Sequence, residues 1–159
     1  MAPRVGQRVP DFRLPDSEKK TRTLSEFLGT GGAIIAFFPF AFSGTSDKEM
    51  CTFRDDLSTF QSAGGRLVGI SVDSVYALGA FARTYDLPFP LLSDFNKKVS
   101  KLYGVFQASW TGFGYSGAAN SSVFVADRNG VLRYKWISDV HTSEPPYREV
   151  NKASQKLDV

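Results

Sequence analysis

Two serine hydroxyls lie beside a predicted helix N-terminus, and their setting is the part of this chain best suited to chemistry. An apolar run ends at Phe38, Pro39 and a short polar turn follow, and an amphipathic helix is predicted to begin at Ser46. Ser43 and Ser46 therefore lie among free backbone N–H groups, a setting that binds anions and lowers the pKa of a thiol. A cysteine at position 46 would be an activated nucleophile, but the chain has a serine there.

The elements that must position these hydroxyls alternate between strands and helices. Residues 33–38 and 66–72 are largely apolar runs, typical of strands covered on both faces. Between them, Met50 begins an i, i+3, i+7, i+10 apolar pattern that predicts a helix from Ser46 to about residue 62. The remaining predictions are an N-terminal hairpin returning at 21–23, a brief helix at 24–28, helices at 74–85, 96–103 and 147–156, a short strand at 91–93, and a hairpin turning at 127–130.

This order predicts an α/β protein with a mixed central sheet, helices on both faces and an N-terminal hairpin. The 159 residues are the size of one ordinary domain. We find no internal repeat, linker or low-complexity segment, so residues 1–159 are expected to form a single domain.

Composition and charge argue against several classes of function. The 42% hydrophobic and 22% charged residues are typical of a globular protein, and the run from 33 to 42 is too short to span a bilayer. No secretory signal pattern is present, so we expect a cytoplasmic location and no membrane partner. The net charge of +3 comes without a nucleic-acid motif, so no nucleic-acid partner is expected. One histidine and one cysteine are too few for a metal site, and no cofactor is predicted.

Residues 39–46, Pro-Phe-Ala-Phe-Ser-Gly-Thr-Ser, resemble the Pro-x-x-x-Thr/Ser-x-x-Cys motif of the peroxiredoxins, a thioredoxin-fold family of thiol peroxidases. The match fails only at the last position. Cys51, five positions after Ser46, matches the resolving cysteine of the peroxiredoxin Q (bacterioferritin comigratory protein) branch. The resemblance covers almost the whole chain and includes Pro-Asp-Phe at 10–12, Phe-Arg-Asp at 53–55, Val-Phe-Val at 123–125 and Asp-x-x-Gly at 127–130.

The resemblance implies thiol-dependent reduction of hydrogen peroxide and organic hydroperoxides. A cysteine at position 46 would attack the peroxide, Ser43 would hydrogen-bond it, and Pro39 would shield the site from water. Cys51 would condense with the resulting sulfenic acid to a disulfide that thioredoxin or a similar dithiol reduces. Ser121 occupies the position of the family arginine that orients the peroxide and stabilises the thiolate. A monomer or homodimer is expected from the same resemblance.

The spacing of positions 46 and 51 adds a physical constraint to this chemistry. Five residues of helix rise about 7.5 Å, whereas a disulfide joins Cα atoms roughly 4.4–6.8 Å apart. The two positions therefore cannot be bridged unless the first turns of the helix unwind. Ser46 and Glu49 form a Ser-x-x-Glu capping box in the sequence, which we expect to hold that turn closed.

Each candidate also has a purely structural interpretation. The capping box alone accounts for Ser46, at about 0.5–2 kcal/mol of helix stability. Ser43 satisfies local backbone in that interpretation, and Cys51 is a small buried hydrophobe. His141, in a polar loop, is expected to be solvated and not a general base. The aromatic stretch 106–115 either packs under a loop or forms a surface for a partner or second subunit.

Two functional interpretations follow. In the first, the chain is a peroxiredoxin made inactive or nearly so by serine at position 46, as in an engineered Ser-for-Cys variant. The second departure from the motif, Ser121, is not needed for such a variant. In the second interpretation, the chain is a natural pseudoenzyme that keeps the scaffold as a binding or interaction module.

Overall fold

The computed structural model describes residues 1–109, 113–140 and 143–157. In chain order its elements are β1 (Arg13–Pro15), β2 (Thr21–Thr23), α1 (Leu24–Leu28), β3 (Ala33–Phe37), α2 (Thr45–Asp55), α3 (Leu57–Phe60), β4 (Arg66–Ser71), α4 (Val75–Tyr85), β5 (Leu91–Ser93), α5 (Lys98–Leu102), β6 (Phe106–Gln107), β7 (Ala118–Ala119), β8 (Ser122–Ala126), β9 (Leu132–Ile137) and α6 (Tyr147–Gln155).

A five-stranded mixed sheet in the order β5-β4-β3-β8-β9 forms the centre of the molecule. The β3–β4 and β4–β5 pairs are parallel, and the β3–β8 and β8–β9 pairs are antiparallel. β1 and β2 form a separate antiparallel hairpin at the N-terminus. The predicted mixed sheet, C-terminal hairpin and N-terminal hairpin are therefore confirmed.

β3 lies in the middle of this sheet and all five of its residues are buried. Its alternate side chains enter two hydrophobic clusters on opposite faces. Ile35 and Phe37 pack in one cluster with Tyr103, while Ile34 packs in the other with Phe53 of α2. Covering on both faces explains why the strand is apolar without alternation.

The predicted helix from Ser46 to about residue 62 is two helices in the structure. α2 ends at Asp55, and Asp56 leaves helical geometry with φ −112° and ψ 21° before the single turn of α3. Aspartate side chains compete for backbone hydrogen bonds and are poor residues for a helix interior, which agrees with a break at consecutive aspartates. The helix predicted from residue 96 begins later, because Lys97 has a left-handed backbone with φ 66°.

The helix predicted at 74–85 is confirmed as α4. Ser74 precedes it as the N-cap, and the Ala77 N–H donates to Ser74 Oγ at 3.1 Å. Of the helices in the described ranges, none is both long enough and apolar enough to cross a membrane.

Candidate functional site

The loop between β3 and α2 carries the two serines picked out from the sequence. Pro39, which follows the buried β3, is itself buried, whereas Ser43 is exposed. Ser46 lies in the first turn of α2 and is only 2% exposed. Ser43 Oγ donates to Ser46 Oγ at 2.8 Å, so the structure brings the two predicted hydroxyls into direct contact.

The predicted capping role of Ser46 is wrong. α2 begins at Thr45 with Gly44 as its N-cap, and no side chain caps the helix there. Gly44 has φ 83° and ψ −69°, a conformation open to glycine because it has no Cβ. The turn at Gly44 starts the helix before Ser46, whose hydroxyl is then free to bond Ser43 instead of the backbone.

Glu49, the other half of the predicted capping box, is fully buried. Neither of its carboxyl oxygens has a hydrogen-bond partner in the described part of the chain. Burial raises the pKa of Glu49 well above its ordinary value, and the negative charge of Glu144 adds to the rise. The neutral form of the acid is therefore favoured at this position, one helical turn after Ser46. The sequence signal that could have placed Glu49 on the inner face, and that was not used, is its spacing of four from Phe53, which is buried.

Cys51 lies on the same unbroken helix as Ser46 and is partly exposed. An intact α2 keeps the two positions apart, as the spacing required. Burial raises the pKa of the Cys51 thiol, and the Arg54 guanidinium opposes that rise only in part. Cys51 is consequently not an activated nucleophile in this arrangement.

Ser121 is buried immediately before β8, and its carbonyl oxygen accepts a hydrogen bond from the Ser138 N–H at 2.8 Å. Val123 and Val125 pack in the cluster that includes Met50 of α2. Because strand side chains alternate, position 121 is on the sheet face that α2 covers. The correspondence of position 121 to the family arginine stays a prediction from the resemblance.

Asp73, which follows β4, anchors the loop and was not identified from the sequence. The Ala41 N–H donates to Asp73 Oδ2 at 2.8 Å, and Ser71 Oγ donates to the same oxygen at 2.6 Å. Burial raises the pKa of Asp73, although both hydrogen bonds oppose that rise. The usable signal was its place directly after the strand predicted at 66–72, because α/β sheets form their sites at the carboxyl ends of their strands.

Aromatic side chains flank the loop on its outer side. The rings of Phe40 and Tyr115 lie 5.4 Å apart, and those of Phe113 and Tyr115 lie 5.5 Å apart. Phe113 is 75% exposed and Tyr115 is 51% exposed. The described part of the 106–115 stretch thus includes exposed aromatic surface and is not packed throughout beneath a loop. Trp110 and His141 lie outside the described residues.

Comparisons with known proteins agree on one family. Residues 5–135 match the AhpC/TSA family. Alkyl hydroperoxide reductase E of Mycobacterium tuberculosis is 36% identical over 132 residues, which are 82% of each chain. The chloroplastic peroxiredoxin Q of Sedum lineare is 37% identical over 128 residues, 80% of this chain and 66% of that protein.

Solved structures support the same assignment. The crystal structure of peroxidoxin BcpB from Mycobacterium tuberculosis aligns with a TM-score of 0.84 and 28% identity, covering 95% of this chain and 96% of that one. The mixed sheet and the N-terminal hairpin described above agree with this likeness. The chain belongs to the AhpC/TSA family and is a peroxiredoxin of the Q and Bcp kind with a thioredoxin-like fold.

Proposed function

We propose that this chain carries the peroxide site of a thiol-dependent peroxidase, and that Ser46 leaves it inactive or nearly so. One observation carries the proposal: Ser46 Oγ is buried in the first turn of α2, 2.8 Å from Ser43 Oγ. Position 46 lies at a helix N-terminus, which would stabilise a reactive thiolate, but its side chain carries a hydroxyl and not a thiol.

The reaction of a protein with cysteine at position 46 would proceed in three balanced steps. The thiolate attacks one peroxide oxygen, the O–O bond breaks, and the sulfur becomes a sulfenic acid while the leaving oxygen takes a proton. The Cys51 thiol then condenses with the sulfenic acid, forming a disulfide and releasing water. Thioredoxin or a similar dithiol reduces the disulfide by exchange. Hydrogen peroxide and organic hydroperoxides are the proposed substrates.

The surrounding residues supply binding and shielding in this proposal. Ser43 is exposed, and its hydroxyl hydrogen-bonds the peroxide. Pro39 is buried and keeps water away from the peroxide oxygen that is attacked. Backbone N–H groups at the first turn of α2 stabilise negative charge at position 46. Asp73 supports them indirectly, because its carboxylate holds the Ala41 N–H and fixes the loop.

Two features make the chain inactive in the proposal. A serine hydroxyl is not ionised at neutral pH, so position 46 lacks a nucleophile for the O–O bond. Ser121 lacks the positive charge that an arginine would bring to the same face of the sheet. We further propose a cytoplasmic monomer or homodimer without a nucleic-acid or membrane partner, on the grounds given by sequence and resemblance.

A restoration experiment tests the proposed function. Ser46→Cys and the double variant Ser46→Cys/Ser121→Arg are assayed for peroxide consumption with thioredoxin and its reductase, with the unchanged chain as the blank. We expect turnover in the single variant and faster turnover in the double variant. A double variant that is folded by circular dichroism and consumes no peroxide would overturn the proposal.

The second candidate function is that of a natural pseudoenzyme, a binding or interaction module on the same scaffold. Ser121 favours it, because an engineered trap requires a change at position 46 only, and Ser121 is an additional buried departure. The restoration experiment separates the two: regained turnover supports the peroxidase, and a folded but silent double variant supports the module.

A further inference from the structure

Tyr85, the last residue of α4, joins α4 to α2 through two hydrogen bonds and to the loop before α2 through one ring contact. Its hydroxyl donates to Asp47 Oδ2 at 2.6 Å. Its carbonyl oxygen accepts from Arg54 Nη1 at 2.6 Å. Its ring lies 6.3 Å from that of Phe42, in the loop before α2. We call these four residues the Tyr85 clasp.

The two hydrogen bonds of the clasp reach α2 at different levels. Asp47 lies in the first turn, directly after Ser46, and Arg54 lies in the last turn, beyond Cys51. Positions 46 and 51 can be joined only if the first turns unwind. Asp47 must move in that event, whereas Arg54 need not. The clasp therefore has one end on the part of the helix that must open and one on the part that stays folded.

The Asp47 end depends strongly on the tyrosine hydroxyl. The other carboxylate oxygen, Oδ1, is buried and has no hydrogen-bond partner among the described residues. Losing the Tyr85 hydroxyl would leave this carboxylate poorly satisfied, and unsatisfied polar groups are costly. The bond also raises the pKa of the Tyr85 phenol, so the hydroxyl keeps the proton that it donates.

The ring contact of the clasp with the loop involves Phe42, whose backbone is strained. Phe42 has φ 66°, a conformation that costs energy for any residue with a Cβ. Its ring lies 5.1 Å from that of Phe81 and packs against Tyr85 as well. Aromatic packing on α4 thus offsets the strain of the loop that leads into α2.

We propose that Tyr85 is a positioning residue that holds the first turn of α2 closed and thereby limits how often positions 46 and 51 can meet. The redox consequence rests on the proposed function, since it requires a thiol at position 46. The closure itself does not, because every contact of the clasp exists in the chain with Ser46.

Amide hydrogen exchange of the unchanged chain tests the closure. Tyr85→Phe keeps the ring and removes the hydroxyl, and Tyr76→Phe is the matched control, because Tyr76 lies on the same helix and is 72% exposed. We expect Tyr85→Phe to speed exchange of peptides covering residues 45–50 about tenfold, with β3 and β4 unchanged. Tyr76→Phe should leave both regions unchanged.

A double-mutant cycle connects the effect to the carboxylate. Asp47→Ala alone should also loosen residues 45–50, and adding Tyr85→Phe to it should produce little further change. Unchanged exchange at 45–50 in Tyr85→Phe would overturn the proposal. Equal acceleration in β3 would do so as well, because it indicates a general loss of stability. Independent, additive effects of the two substitutions would also contradict it.

Single-turnover oxidation tests the consequence for chemistry. In the Ser46→Cys background, one equivalent of hydrogen peroxide is added and disulfide formation with Cys51 is followed by quenched intact mass. Tyr85→Phe should speed the condensation step about tenfold, without a matching change in the first oxidation step. Equal condensation rates would contradict the clasp's role. Absence of any oxidation in Ser46→Cys would instead refute the proposed function and leave the exchange result to decide the closure.

Discussion

At the scale of single residues, the feature with the clearest energetic consequence is Glu49. Its carboxyl is fully buried, and neither oxygen has a hydrogen-bond partner in the described ranges. Burial raises its pKa well above the ordinary value of 4.5. The folded chain therefore retains the proton at pH values where the unfolded chain releases it. The contribution of Glu49 to the free energy of unfolding is therefore greatest below about pH 4.5. This contribution falls as pH rises toward the folded-state pKa.

This fall in the free energy of unfolding with rising pH gives a prediction for Glu49→Gln, which removes the titrating group and keeps a similar shape. We expect the variant to gain stability relative to the unchanged chain as pH rises from 5 to 8, because the unchanged chain alone has to keep a proton on a buried carboxyl. Urea unfolding at several pH values measures the difference. Glu18→Gln, at an exposed residue, is the control. A stability difference that is constant over this pH range would contradict a raised pKa at Glu49.

Cys51 provides a second prediction at the same scale. Burial raises the pKa of its thiol, and Ser46 offers no sulfenic acid with which it could condense. We expect Cys51 to remain a free thiol after mild peroxide treatment, as read by intact mass. Rapid and stoichiometric oxidation of Cys51 would show that the nucleophile is Cys51 itself.

At the scale of elements, the start of α2 is set by Gly44 and not by a capping serine. A Cβ at Gly44 would meet nothing within 4 Å, so only its backbone conformation resists substitution. Gly44→Ala should cost about 1–3 kcal/mol of stability for a strained backbone. Ser46→Ala should cost less than about 1 kcal/mol, because it removes one neutral hydrogen bond and no cap.

Chemical denaturation of both variants checks this order. Gly114→Ala, also at an open position with positive φ but in another loop, shows how much of the cost is general to such backbones. If Ser46→Ala proved the more destabilising of the two α2 variants, Ser46 would be acting as the cap predicted from its sequence pattern.

At the scale of the whole molecule, the sequence predicted the sheet well, because β3 and β4 are buried on both faces and are therefore apolar. The hairpin between β8 and β9 was equally clear from its turn. The helix break at Asp56 was missed, because the apolar pattern continues through it to Phe60. Pattern reasoning follows which face is buried and does not reveal where the backbone leaves the helix.

The candidate site was only partly predictable for a related reason. The resemblance of one short segment to the family motif identified Pro39, Ser43 and Ser46. Asp73 and Tyr85 contact that segment from 32 to 38 positions away in the chain, and such contacts follow from the fold. Glu49 was assigned to a cap because its local motif fitted, although the buried face of α2 determines where it lies.

The measurement that most directly tests the central claim is intact mass after a single turnover of the Ser46→Cys variant. One equivalent of hydrogen peroxide is added without a reductant, beside the unchanged chain. We predict that the variant loses two hydrogen atoms as positions 46 and 51 form a disulfide, while the unchanged chain keeps its mass. A variant that is folded but retains both thiols would contradict the claim that this loop and helix form a peroxide site whose sulfur is missing.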